Sequence, residues 1–346
     1  MKPNSTRARH VWILDEGSQG HLVQSRGLIR ELSKVIPITV VEVPIFCILP
    51  RRVSRSLVKR LLRLIRKKWM FRLLHPRMEL PAVPPDLIIA SGPHSLAALE
   101  FLAKHHKCPS VFVQGTIAVP MGAVSVVMRP FEGEEREDFI FIPLLFTEIT
   151  PEIVRHAGQD FLTENHLSIH GPLNLLLIGN SSAKIAFSEQ DWRNIVGMVN
   201  ELWKKEGRQW LISTSSRTGR ELESLFKQGI EADAILDAVW YSESPRKVTK
   251  AFLGLSERVF VTMDSLTMLT EAVASGRKTY ALCPAENLGE RSNTHLEYVR
   301  HLAGNHFITL IQNETHGTLP SSLEVRPTID YTAAIHQLLA RLQWKS

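Results

Sequence analysis

Short unbroken apolar runs alternate along the chain with stretches in which apolar residues recur every three or four positions. His10 to Leu14 reads as a strand, Leu22 to Ser33 as a helix and Ile38 to Val43 as a second strand. Leu87 to Ala90, a helix over Ser95 to Lys104, and strands at Ser110 to Val113 and Ser125 to Met128 continue the series. Strands separated by single helices are βαβ syntax and predict a parallel sheet. The series restarts at the strand Leu173 to Ile178, with helices over Glu189 to Glu206 and Gly219 to Gln228 around the strand Gln209 to Ser213. Extended segments at Ala234 to Trp240, Arg258 to Thr262 and Lys278 to Leu282, the last two joined by a helix over Ser265 to Ser275, complete a second sheet.

The expected fold is two Rossmann-like, doubly wound α/β domains facing a cleft, over residues 1–155 and 165–346. Between Thr147 and Pro172, Pro, Thr, Glu and His displace the strand pattern, and a linker is expected there. The last helix, Tyr331 to Leu342, can either cap the second domain or cross back to the first. A chain of 346 residues exceeds what one hydrophobic core usually organises, so two domains also fit the length. With 44% hydrophobic and 22% charged residues, the composition is that of folded globular chains.

Three cysteines, Cys47, Cys108 and Cys283, stand far apart and form neither a disulfide framework nor a zinc-binding spacing. A reducing cytoplasm is expected, since Asp15 and Glu16 also cut short the N-terminal apolar stretch that a secretory signal would need. Pro109 to Met128 holds about twenty residues without a charge, near the length of a bilayer span. Gln114, Gly115, Thr116, Pro120, Gly122 and Ser125 interrupt it, and two buried strands are the better reading.

Charge changes the picture in one place. Arg51, Arg52, Arg55, Lys59, Arg60, Arg63, Arg66, Lys67, Lys68 and Arg72 follow one another with no acid between them, enough to account for the net charge of +6. Leu57, Leu61, Leu64, Ile65 and Trp69 recur at helical spacing among them, so one face is apolar and the other cationic. That pattern suits a helix lying on an anionic membrane surface. The alternative is a helix packed on the first domain with solvated cations; no nucleic-acid module surrounds the run, and no nucleic-acid partner is expected.

In doubly wound sheets ligands bind at the carboxyl ends of the strands, so candidate chemistry is sought in the loops that leave those ends. Asp15-Glu16-Gly17-Ser18-Gln19-Gly20-His21 joins the first strand to its helix; its glycines admit an anion, and His21 offers a proton acceptor. A tight turn with a histidine at the helix start is the alternative. Gly179, Asn180, Ser181, Ser182 and Lys184 form a candidate phosphate nest after the first strand of the second domain. Ser215, Ser216, Arg217 and Thr218 place hydroxyls beside an arginine whose fork can grip a pyrophosphate, or make a solvated turn. Thr262, Asp264, Ser265, Met268 and Glu271 span the last informative loop and its helix. Asp264 or Ser265 can cap that helix. Glu271 can accept hydrogen bonds from a ribose diol, or be an exposed helix acid.

Together these loops resemble the elongated-mitochondria fission-protein family, whose bacterial members are regarded as candidate glycosyltransferases of the GT-B fold. The resemblance runs over most of the chain. The family's Asp-Gly-x-x-Gly-His-x-x-Gln start appears as Asp15, Gly17, Gly20, His21 and Gln24 after Trp12, with Glu16 as one added residue. Its Ser-Arg-Arg-Thr motif appears as Ser215, Ser216, Arg217 and Thr218. Its Thr-x-Asp-Ser-x-x-Met-x-x-Glu-Ala motif is complete in Thr262, Asp264, Ser265, Met268, Glu271 and Ala272. The chain departs at Asn180, where the family has a second glycine, and at Ser216, where it has an arginine. The Gly20-His21 turn and the Glu271 helix are also similar to parts of the lipid-linked N-acetylglucosaminyltransferase that completes the peptidoglycan precursor.

The resemblance implies a GT-B-type glycosyl or hexosyl transferase of surface polysaccharide or lipopolysaccharide synthesis, peripheral at the cytoplasmic face of the inner membrane. Its second domain would hold a nucleotide-sugar donor and its first a saccharide or lipid-linked acceptor, with His21 and Asp15 catalytic and Gly17, Gly20 and Gln24 in the acceptor loop. No Asp-x-Asp motif ends a strand, and neither a metal nor a cofactor is expected. Non-catalytic membrane scaffolding and nucleotide-sugar epimerisation are the alternatives.

Overall fold

A computed structural model of the chain describes residues 7–45, 78–113, 119–130, 136–167, 169, 171–181, 185–285, 294–312, 319 and 328–344. The cationic run between Arg51 and Arg72, Ser182, Lys184 and Cys47 lie outside the described residues. The chain divides into two compact units, Met1–Glu148 with Ile329–Ser346, and Ile149–Thr328.

The first unit is a six-stranded parallel sheet in the order β2-β1-β3-β4-β5-β6. Its strands are β1 (Arg9–Asp15), β2 (Ile38–Pro44), β3 (Leu87–Ser91), β4 (Ser110–Val113), β5 (Val126–Arg129) and β6 (Phe139–Phe141). Helix α1 (Gln19–Ser33) follows β1 and α2 (Leu96–His106) follows β3. Every residue of β3 is buried, as expected for a strand covered on both faces. The uncharged stretch from Pro109 supplies β4 and β5, and no described helix is long and apolar enough to cross a membrane. The C-terminal helix, Thr332–Arg341, belongs to this unit: the Tyr331 hydroxyl donates to the Leu145 carbonyl, its ring stacks on Phe146 at 4.7 Å, and Arg341 Nη2 donates to the Phe139 carbonyl at 3.0 Å.

The second unit repeats the plan in the order β12-β11-β10-β7-β8-β9, again parallel throughout. It opens with α3 (Pro151–Glu164), which occupies the stretch expected to be a linker. Thr150 caps α3 by accepting from the Ile153 amide, Pro151 takes the first turn where no donor is missed, and Phe161 meets Phe252 edge-on at 5.6 Å. Then come β7 (Leu173–Ile178), α4 (Glu189–Glu206), β8 (Trp210–Thr214), α5 (Arg220–Gly229), β9 (Ile235–Val239), α6 (Thr249–Leu255), β10 (Ser256–Thr262), α7 (Leu266–Ala274), β11 (Lys278–Cys283), α8 (Thr294–Gly304) and β12 (Thr309–Gln312). Trp210, Phe260 and Tyr280 form an aromatic row across β8, β10 and β11, with ring centroids 4.9 and 4.8 Å apart. Ser188 and Asp191 form a reciprocal capping box on α4, and the other oxygen of Asp191 accepts from the Ala285 amide after β11 at 2.8 Å.

Candidate functional site

Strand order locates a crevice in each sheet. In the second unit β7 runs first, β8 and β9 extend to one side and β10 to β12 to the other, so the order reverses between β7 and β10. In the first unit the reversal lies between β1 and β3. Loops leaving the carboxyl ends of two such strands diverge and open a ligand crevice.

The β7/β10 reversal point is built around Asp264, whose side chain is fully buried. Its Oδ1 accepts from the Thr262 hydroxyl at 2.7 Å; its Oδ2 accepts from the Asn180 amide at 3.1 Å and from Arg217 Nη2 at 2.9 Å. Thr262 Oγ1 in turn accepts from the Gly179 amide at 2.8 Å. Burial pushes the Asp264 carboxyl above its ordinary value, against the opposing pull of Thr262, Asn180 and Arg217. Asp264 thus faces the β7 loop, and Ser265 is the residue that caps α7, accepting from the Met268 amide at 3.4 Å. The remaining amides of the first turn of α7 lack intrahelical partners, a feature suited to an anion.

Hydroxyls of the β8 loop serve mainly to shape it. Thr218 Oγ1 donates to the Ile178 or Gly179 carbonyl and accepts from the Ser215 amide, while Ser215 Oγ accepts from the Arg217 amide at 3.3 Å. Asn180 Nδ2 donates to the carbonyls of Arg217 and Thr218 at 2.7 and 3.2 Å, so the residue that departs from the family glycine ties the β7 loop to the β8 loop. Ser181 Oγ is engaged with the Phe187 backbone in both directions. Arg217, by contrast, is 47% exposed and commits a single nitrogen to Asp264. Met268 and Glu271 lie half-buried on α7.

At the β1/β3 reversal point His21 Nδ1 lies 2.6 Å from Glu16 Oε1. Glu16 is 4% exposed in its side chain and His21 34%. The second oxygen of Glu16 accepts from the amides of His94 and Ser95, at 2.8 and 2.9 Å, where α2 begins. Asp15, expected to be catalytic with His21, accepts from the Gly17 amide at 2.8 Å, with Gly17 at φ +80°. α1 begins at Gln19, three residues earlier than expected, so Gly20 and His21 stand in its first turn. Gln24 accepts from Ser91 at the end of β3, 3.2 Å away. Glu16 was given no role of its own in the sequence, and two of its partners lie 78 and 79 positions away. No cluster of His, Cys, Asp and Glu suited to a metal occurs among the described residues.

The model of the mitochondrial fission ELM1 family matches residues 19–341. The chain belongs to that family. No curated protein matches it significantly. Among solved structures, this ELM1-family chain is similar to the UDP-GlcNAc 2-epimerase of Methanocaldococcus jannaschii, with 14% identity, 96% of this chain and 99% of that chain covered, and a TM-score of 0.53. The UDP-GlcNAc 2-epimerase of Neisseria meningitidis, bound to UDP-GlcNAc, gives 12% identity, 88% coverage of both chains and a TM-score of 0.50. The E. coli ADP-heptose LPS heptosyltransferase II gives 12%, 96% and 98%, and 0.49. The fold of the ELM1-family chain is GT-B-like, two Rossmann-type units each with a parallel six-stranded sheet.

Proposed function

We propose that this ELM1-family chain is a nucleotide-sugar-dependent glycosyltransferase whose second unit holds the donor. The observation that carries the reading is the β7/β10 crevice, where Asp264 anchors an otherwise exposed Arg217 beside the N-terminus of α7. A diphosphate there would meet a cationic fork and unpaired amides, the electrostatic support a departing nucleoside diphosphate needs. Glu271 would accept from the ribose hydroxyls. Ser265 and Met268 would fix the first turn of α7, while Gly179, Ser215, Thr218 and Thr262 would hold the surrounding loops.

In the first unit, His21 Nε2 makes no hydrogen bond among the described residues and is the candidate base. It would take the proton of the acceptor hydroxyl as that oxygen bonds to the anomeric carbon, while the bond from that carbon to the diphosphate breaks and its electron pair leaves with the diphosphate. Gly17, Gly20 and Gln24 would shape the acceptor side, and Asp15 would position the turn. The cationic run from Arg51 to Arg72 supports work at an anionic membrane surface, hence a lipid-linked or saccharide acceptor of surface polysaccharide or lipopolysaccharide synthesis, at the cytoplasmic face of the inner membrane.

The cationic run from Arg51 to Arg72, which suits a membrane-borne acceptor, favours transfer over epimerisation, which needs no acceptor. Incubation with UDP-, GDP-, CMP- and ADP-sugars, with and without membrane extract, tests the reading. A transferase consumes one donor faster when acceptor is present, and Arg217→Ala lowers that rate by about 10²-fold or more. An epimerised sugar without acceptor, or no turnover of any donor, overturns it.

A further inference from the structure

We propose that Glu16 is the positioning residue for His21, fixing the imidazole in the tautomer that carries its proton on Nδ1 and leaves Nε2 as the acceptor. The inference rests on the reading of His21 as the base for the acceptor hydroxyl. The arrangement itself is independent of any ligand.

Three donors converge on one buried carboxyl group. Glu16 Oε2 accepts from the His94 and Ser95 amides, which cannot act as acceptors. A carboxylate oxygen only accepts, so Oε1 pairs with a donor, and the atom facing it at 2.6 Å is His21 Nδ1. Nδ1 therefore holds the ring proton of the neutral imidazole, and the lone pair resides on Nε2. A free histidine side chain is under no such constraint. Other titratable residues on the two loops that meet here are Asp15, turned onto the Gly17 amide, and His94, which contributes its backbone.

Backbone geometry is adapted to the pair. Gly92, between β3 and α2, has φ +93°, and a Cβ on it would fall 2.3 Å from both Glu16 Oε1 and His21 Nδ1. The chain thus approaches the pair at a conformation that glycine alone adopts without strain, over the very atoms a side chain would displace. The start of α2, where an anion could otherwise sit, is filled by the protein's own carboxylate. The first unit has in this way converted an anion-binding position into a support for a base, whereas the second unit keeps Arg217 and the start of α7 for a ligand.

The test is nitrogen NMR of imidazole-labelled protein in alkaline buffer, assigned with His21→Gln. In the unmodified chain His21 should carry its proton on Nδ1. In Glu16→Gln one carboxamide cannot accept from all three donors, and the Nε2-protonated form should become the major species. With a donor sugar and acceptor, the same variant should lose about 100-fold in kcat with the donor KM unchanged. Nε2 protonation in the unmodified chain overturns the proposal even if the variant fails to fold, and an unchanged tautomer or kcat in Glu16→Gln also overturns it. The expected tautomer pattern without transfer from any donor supports the Glu16–His21 assignment while rejecting the transferase reading.

Discussion

Gly179 lies so close to the buried Asp264 that a Cβ at position 179 would fall 2.4 Å from Oδ2 and 2.5 Å from Oδ1. The carboxylate cannot swing aside without giving up Thr262, the Asn180 amide or Arg217. Gly179→Ala should therefore destabilise the chain by about 1 to 3 kcal/mol, the usual cost of forcing atoms into a packed site, and release Arg217. Gly197, inside α4, is the control, because a Cβ added there would meet nothing within 4 Å. Gly197→Ala should stabilise by about 0.5 to 1 kcal/mol. Urea midpoints at constant slope distinguish the two, and equal shifts would mean the Asp264 carboxylate is not fixed.

Glu223 should make stability pH-dependent. It is buried on α5; burial works to raise its pKa, but hydrogen bonds from Ser242, Thr214 and the Ser242 amide outweigh that and hold it below the ordinary carboxylate value. A carboxyl depressed in the folded chain binds its proton more readily when unfolded. Its contribution is therefore present above the unfolded value and lost as pH falls through the folded one. Denaturant titrations across the acid range should show a shallower loss in Glu223→Gln than in the unmodified chain, with the variant less stable at neutral pH. Parallel curves would mean that the network does not favour the charged form.

Strands were legible because parallel strands covered on both faces read as plain apolar runs, as Leu173 to Ile178 does. α3 was not, because only Val154 and Gly158 of its residues are buried and its pattern is correspondingly faint, although Thr150, Pro151 and Glu152 carry the start signal. The three-residue β6 is too short to stand out. In the second unit the motif residues Thr262, Asp264 and Arg217 do converge. Their division of labour was hidden, since which of Asp264 and Ser265 caps α7 depends on Asn180 and Arg217, far away in sequence. Glu16 was hidden for the same reason: apart from His21, its partners are distant amides, which carry no residue identity.

Cations at Arg60, Arg63, Lys67 and Lys68 should govern membrane association. Near anionic lipid each is worth roughly 1 kcal/mol. Replacing all four by Glu should abolish sedimentation with vesicles rich in phosphatidylserine while leaving nucleotide affinity intact. Added salt should weaken binding of the unmodified chain in the same direction, because screening acts on exposed charge. Equal sedimentation of both proteins at low salt would assign these residues to a solvated face.

Glu271 gives the sharpest test of the donor site. It stands in the second turn of α7, beyond the Ser265 cap, half-buried on the helix that starts at the β7/β10 crevice. A carboxylate there that accepts from a ribose diol makes charge-assisted hydrogen bonds, commonly worth roughly 1.5 to 3 kcal/mol. Glu271→Gln keeps the shape and removes the charge, so affinity for the preferred nucleoside diphosphate should fall by about one to two powers of ten at 1.4 kcal/mol per tenfold. Deoxyribose analogues should bind the unmodified chain weakly and lose little more in the variant, since the missing hydroxyl and the missing charge remove the same contact. Calorimetric titration of both proteins with both ligands closes the cycle. Additive losses would place Glu271 away from the ribose, and an unaltered affinity would make it an ordinary helix acid.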